Sequence, residues 1–257
     1  MEATERFADV VTRDPVPLDE AALLIGAHAA PGLDVSDGLA HLDDLAASVP
    51  EPTVETLLAT LFGAEGFVGD QESYYDPRNS YLHEVIGRRR GIPITLSVLA
   101  IEVGRRLEID LDGVGTPAHF LTRTRETTPR FVDAFGGGRI LVRSELASFF
   151  AELVPGVEIE PFLTPLGNLD VLRRILANLT AVHRRSGDRE ALLWTTQLRT
   201  VIPGSTADDA RIFGGALAAS GDFARAAKVL ESIVDGGRAS DPERELAEAQ
   251  RLRARLN

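Results

Sequence analysis

The sequence predicts an α+β protein in which helices outnumber strands. Three observations carry that reading. The first 70 residues read as helical and acidic, with amphipathic stretches at helical spacing. Short runs of β-type residues, divided by turn signals, lie between Leu111 and Ala134. From Asn168 onward the pattern is helical throughout, and Gly187–Asp188 returns as Gly221–Asp222 after 34 residues. The expected layout is a helical N-terminal region, a core with a small antiparallel sheet, and an all-α, repeat-like C-terminal domain.

Leu18 to Gly26 follows Pro15 and Pro17 and forms one amphipathic helix; Val35 to Ala47 forms a second. A third starts after Pro52, with Val54, Leu57, Leu58, Leu61 and Phe62 on one face, until Gly63, Gly66 and Gly69 break the pattern. Asp76–Pro77 is a helix start: an N-cap acceptor, then a residue whose missing N–H costs nothing at the first helical position. Leu82, Val85 and Ile86 give that helix its apolar face, Arg88–Arg89–Arg90 end it, and Gly91 supplies the stop. Pro93 opens the next helix, apolar on nearly every side from Ile94 to Leu107, which belongs in the middle of a core. Two or three antiparallel strands follow: Leu111 to Val114, His119 to Arg123 and Arg130 to Ala134. Ser144 is placed to cap a helix from Glu145 to Leu153. Pro155, Pro161 and Pro165 mark a linker, dividing the chain into domains 1–155 and 156–257. The 34-residue period is that of the tetratricopeptide repeat, with Gly214 and Ala226 at positions where paired helices approach closely. A non-repeating helical bundle is the alternative. A helix from Pro242 to Leu256 closes the chain.

Composition narrows the chemistry. The 257 residues include no cysteine, which excludes disulfides, thiolate-ligated metal sites and a cysteine nucleophile. Of 27 basic residues only Lys228 is a lysine, and its apolar neighbours suit neither a P-loop nor a Schiff base. The net charge of -12 is concentrated: residues 1–60 hold 12 acids and two arginines. Such a chain repels phosphate, so no nucleic-acid partner is expected. The Arg88–Arg90 run is read as a solvated helix end complementing the dipole. The opening Met1-Glu-Ala-Thr-Glu-Arg is unlike a secretory signal, and no apolar run approaches the ~20 residues that span a bilayer. A cytoplasmic protein without membrane contact is expected.

Five histidines are present, and none has metal-ligand spacing with another. His83–Glu84 begins like a zinc-protease motif, but Gly87 stands where the second histidine belongs. Gly136–Gly137–Gly138 lacks the strand-to-helix context of a dinucleotide loop. No metal and no cofactor are expected. His119 is different. It lies in one apolar strand and Asp133 in another, so adjacent strands can bring them to one face, where the carboxylate fixes the tautomer of the imidazole. The pair lacks an evident nucleophile. A reactive side chain in the first turn of a buried helix feels the positive end of the dipole, and Thr95 is the residue of the Pro93–Thr95 turn with a nucleophilic atom. The competing roles are structural: Thr95 as a cap, and His119 with Asp133 as a polar tie between strands.

Four segments, Tyr75-Asp-Pro-Arg-Asn-Ser, Arg89-Arg-Gly-Ile-Pro-Ile-Thr-Leu, Ala118-His-Phe-Leu and Val132-Asp-Ala-Phe-Gly-Gly, carry a family resemblance. The stretch from about Leu61 to Leu141 resembles the transglutaminase-like domain of the bacterial SirB-type family, in which a tetratricopeptide-like tail follows. The resemblance implies a papain-like core in which a cysteine at a helix N-terminus meets a histidine and an aspartate on following strands. His119 and Asp133 match the last two. The cysteine position falls at or beside Thr95, a departure with a chemical cost, since an alcohol does not ionise near neutrality as a thiol does. Two functions follow. One is a catalytically silent interaction or regulatory module, its cleft and repeat-like tail receiving a protein or peptide partner. The other is a cysteine-independent acyltransferase or hydrolase with Thr95 (or Ser97) as nucleophile, His119 as base, Asp133 as its orienter and Asn79 as an oxyanion-side or positioning donor, the competing role of Asn79 being to cap a helix start.

Overall fold

A computed structural model describes residues 3–256; Met1, Glu2 and Asn257, the outer ends of the two expected domains, lie outside the described residues. The chain divides into two compact units. One is residues 15–175; the other joins the segment before Pro15 to the residues from Leu176 onward. The expected division at 155/156 differs from this.

The second unit, all helical, contains α1 (Ala3–Val10), and the first unit opens with α2 (Leu18–Ala29) and α3 (Val35–Ala47). Next comes α4 (Val54–Leu58), capped by the Thr53 side chain and continuing into a π-helical stretch, Ala59–Ala64. The two-residue strand β1 (Val68–Gly69) pairs in parallel with β2 (Arg90–Gly91). Gly69 is required there, because a Cβ would fall 2.6 Å from the carbonyl oxygen of Phe135 and 2.5 Å from its ring.

Asp76 does cap a helical start, accepting from the Arg78 N–H, but only a 3-10 turn follows, Pro77–Ser80. Tyr81 then adopts extended angles and a separate helix, α5 (Leu82–Arg88), begins. Its stop is Arg89, at φ 58, rather than Gly91, which is already in β2. The helix α6 (Pro93–Arg106) is buried from Pro93 to Gly104. It packs against α2, α3, α4 and α5 on one side and the sheet on the other.

That sheet is larger than expected. It comprises β3 (Leu111–Val114), β4 (Leu121–Thr124), β5 (Phe131–Asp133), β6 (Arg139–Leu141) and β7 (Pro165–Leu166), in the order β6-β5-β4-β3-β7 and antiparallel throughout. Leu111 meets α6 at Gly104. The opposite face presents Val114, Leu121, Phe131 and Leu141 to Leu146 and Phe150 of α7 (Arg143–Leu153). This helix starts one residue before the expected Ser144 cap; the Glu145 carboxylate instead accepts the Val142 N–H at 2.8 Å. The proline-marked linker is thus partly structure. Val114 pairs with Pro165, and the Asn168 side chain donates to the Val16 carbonyl at 2.7 Å. These bonds carry the unit beyond residue 155.

The helix α8 (Asn168–Ser186) spans the boundary between the units. The remaining helices are α9 (Arg189–Val201), α10 (Ala207–Ala219), α11 (Phe223–Asp235) and α12 (Pro242–Ala254), each packed on the next. The repeated dipeptide has a structural cause. Gly187 and Gly221 take positive φ, 73 and 89, and Asp188 and Asp222 cap α9 and α11 by accepting the N–H three residues on. No described helix is long and apolar enough to cross a membrane.

Candidate functional site

The site lies in the 15–175 unit. His119 and Asp133 meet there: His119 Nε2 is 2.8 Å from Asp133 Oδ1. Two local features bring this about. The chain turns through Ala118 at φ 56 immediately before His119, which stands just outside β4 rather than within it. Asp133 ends β5, and its Oδ1 also accepts the Gly136 N–H at 2.9 Å, closing the following turn. Both residues are buried, at 9% and 6% exposure. The imidazole is enclosed by aromatic rings, with centroids of Phe149, Phe135 and Phe150 at 5.6, 6.2 and 6.4 Å. Burial pushes the Asp133 carboxyl upward. The hydrogen bond and charge of His119, with the Gly136 and Phe135 N–H groups, outweigh it and hold the group below its ordinary value. With Nε2 engaged, the Nδ1 edge is the one that remains for proton transfer.

Thr95 is engaged elsewhere. It is 1% exposed, its Oγ1 donates to the Asn79 carbonyl at 2.6 Å, lies 3.2 Å from the Ile92 carbonyl, and accepts the Ile92 N–H at 3.2 Å. No hydrogen bond joins it to His119 among the described residues. Asp133 shares a face with Phe131, and the ring of His119 lies against Phe149 and Phe150 of α7, whereas the Thr95 hydroxyl is held by the Asn79 carbonyl and the start of its own helix. Ser97 is fully buried and its Oγ has no partner.

Asn79 is at the centre of a second polar network. Its Nδ2 donates to Asp70 Oδ2 at 3.2 Å and to the Ser73 carbonyl at 2.8 Å, and its Oδ1 accepts from Arg88 at 3.1 Å. Asp70, 2% exposed, also accepts the Ser73 N–H, which with Asn79 and the nearby arginines lowers its pKa. Every polar atom of the Asn79 side chain is therefore used to join the 70–80 loop to α5, and its carbonyl receives Thr95. Asp70 and Arg88 escaped the sequence reading because a Gly–Asp turn and an arginine run have more common solvated roles. Arg174 escaped it too: on α8, beyond the expected boundary, it donates Nη2 to the Thr116 and His119 carbonyls, the latter at 2.9 Å. Among the described residues, no group of three or more acidic or histidine side chains converges as metal ligands would.

The imidazole–carboxylate pair, the buried helix α6 and the antiparallel sheet all fall within the stretch that matches a known family. Residues 34–177 match the family description "Transglutaminase-like superfamily", and the chain belongs to that superfamily. A UPF0162 protein of Xylella fastidiosa (strain 9a5c) is 38% identical over 198 residues, 70% of each chain. F-box only protein 21 of Mus musculus is 34% identical over 131 residues, 47% of this chain and 20% of that protein. Among solved structures, a crystal structure of menin aligns with a TM-score of 0.45 and 11% identity, covering 89% of this chain and 68% of that one.

Proposed function

We propose that this protein is a catalytically silent transglutaminase-like module that acts by binding a protein or peptide partner. The observation that carries the reading is the engagement of Thr95. Its hydroxyl proton lies on the Asn79 carbonyl at 2.6 Å in a buried site, so attack on a substrate requires breaking that bond and turning the side chain against α6. A β-branched residue has few rotamers with which to do so. The relative named F-box only protein 21 supports a modular use, since the shared stretch is a fifth of that protein.

The α9–α12 helices supply a second surface, read as tetratricopeptide-like. Each capped glycine–aspartate turn starts the second helix of a pair, and a cavity of about 540 Å³ lies between α10 and α12, lined by Gly214, Gly215 and Ala218 on one side and by the charged Arg244, Glu248 and Arg251 on the other. This is the groove offered to a partner helix or extended segment.

The competing function, acyl transfer by Thr95, His119 and Asp133, draws on the 2.8 Å imidazole–carboxylate contact. A hydroxyl-directed fluorophosphonate separates the two. The silent module is expected to remain unlabelled while folded and to show no ester or amide turnover. Labelling of Thr95 or Ser97, or turnover that His119→Ala abolishes, would sink the reading.

A further inference from the structure

Two arginines flank the His119–Asp133 pair without a carboxylate of their own. Among the described residues Arg174 bonds only to main-chain oxygens, through Nη2. Its guanidinium is 5.7 Å from the Phe120 ring, with Nη1 packed against Gly115. Nε and Nη1 donate to no group among the described residues, and neither is sealed from solvent as a buried orphan. Arg139, exposed on β6, sits 6.0 Å from the ring of Phe149 and forms no ion pair among the described residues. In a chain of net charge -12, a half-buried guanidinium left facing carbonyls is unusual, because burying a cation is costly unless an anion compensates it. Burial does push the Arg174 pKa down, and the phenol of Tyr74 is its one opposing electrostatic neighbour.

An open aromatic surface adjoins it. Tyr74 and Tyr75 are 37% and 58% exposed and meet edge to face at 5.3 Å. Tyr74 meets Phe135 at 5.9 Å, and Phe135 meets His119 at 6.2 Å. Exposed aromatic rings beside an arginine with spare donors combine the two side-chain classes that dominate binding hot spots. The charge left over is positive, so the complementary group is an anion, and a carboxylate fits the planar guanidinium.

We infer that Arg174, Tyr74 and Phe135 form a docking surface for a peptide segment in which an acidic side chain lies next to an aromatic one. The carboxylate pairs with the free edge of Arg174, and the aromatic ring rests on Tyr74 and Phe135. Arg174 then has two linked tasks, since the same guanidinium ties the Thr116 and His119 carbonyls across the left-handed Ala118. This inference rests on the silent-module reading and names the partner chemistry of that same face.

The test uses the full chain and an array of C-amidated nonapeptides in matched pairs, Asp or Glu in one member and Asn or Gln in the other, each beside Phe or Tyr. Acidic members are expected to bind roughly tenfold or more tightly than their amide partners. Arg174→Gln is expected to remove that preference, and Tyr74→Ala to weaken both members alike. An array with no bound peptide, or one bound without acidic preference, overturns the proposal. So does a preference that survives Arg174→Gln. Should Arg174→Gln fail to fold, the wild-type ratio and the exposed-site variant Tyr74→Ala still decide it. Array failure with an unlabelled, inert protein defeats this inference alone, whereas fluorophosphonate labelling defeats the reading beneath it.

Discussion

Thr95 donates to a carbonyl 16 residues earlier and accepts an N–H of its own helix start, so one hydroxyl fastens α6 to the loop before α5. Thr95→Val removes those bonds and leaves the buried Asn79 carbonyl and Ile92 N–H to their own longer contact of 3.4 Å. A loss of about 1–3 kcal/mol is expected, with Thr95→Ser recovering most of it, measured by urea unfolding. Asp133 makes a prediction in pH. Its folded-state pKa lies below the ordinary 3.8, so its stabilisation is present above that value and is lost as pH falls through the depressed one. The stability deficit of Asp133→Asn relative to wild type should therefore be full at pH 7 and shrink below pH 3.8; a deficit independent of pH would contradict the lowered carboxyl pKa. At this scale the sequence disclosed His119 and Asp133, because alternating strands make a shared face readable. It could not disclose that Thr95 faces Asn79, since that depends on where the 70–80 loop packs.

Among elements, α6 is the organiser, and its last turns carry a buried charge cluster. Arg105 and Arg106 both reach Asp19 of α2, at 2.8 and 2.9 Å, and Arg106 extends to Asp43 of α3 at 2.5 Å. Glu102 lies among them, 2% exposed. Burial first, and then the negative charge of Asp19, push its pKa up to about 7 despite the neighbouring arginines. A raised carboxyl pKa favours the fold fully below the unfolded value of 4.5, and that advantage is lost as pH rises through 7. The shift corresponds to about 3 kcal/mol. Relative to wild type, Glu102→Gln should gain stability on going from pH 4.5 to pH 8, read from urea midpoints at both; an unchanged difference would refute the raised pKa. The element boundaries also show what local pattern can convey. Helices α2, α3 and α6 are legible because their apolar spacing is continuous. The two-residue strands β2 and β7 have no periodicity to read, and exist only because Val68 and Val114 offer edges to Arg90 and Pro165.

On the scale of the molecule, the charge and the compact units divide the chain differently. The excess acidity belongs to the first 60 residues, while packing separates residues 15–175 from the rest. The fold class was legible because each region has its own periodicity. The unit boundary was not, because prolines mark breaks in secondary structure rather than breaks in packing. A fragment of residues 15–186, which keeps β7 and all of α8, should unfold in one cooperative transition. A fragment of residues 15–155 lacks the edge strand on β3 and the Asn168–Val16 bond, and should show a broad, less cooperative one, followed by circular dichroism in urea. Equal cooperativity in the two fragments would restore the earlier boundary.

One oxygen of Asp133 serves both the imidazole of His119 and the amide of Gly136. A side chain with two dependants is hard to lose, because either one suffices to hold it. Replacement by alanine would open the turn after β5 as well as release the histidine. Drift at position 133 is therefore restrained by folding alone. The turn after β5 thus asks for a carboxylate at this position whatever the neighbouring imidazole does.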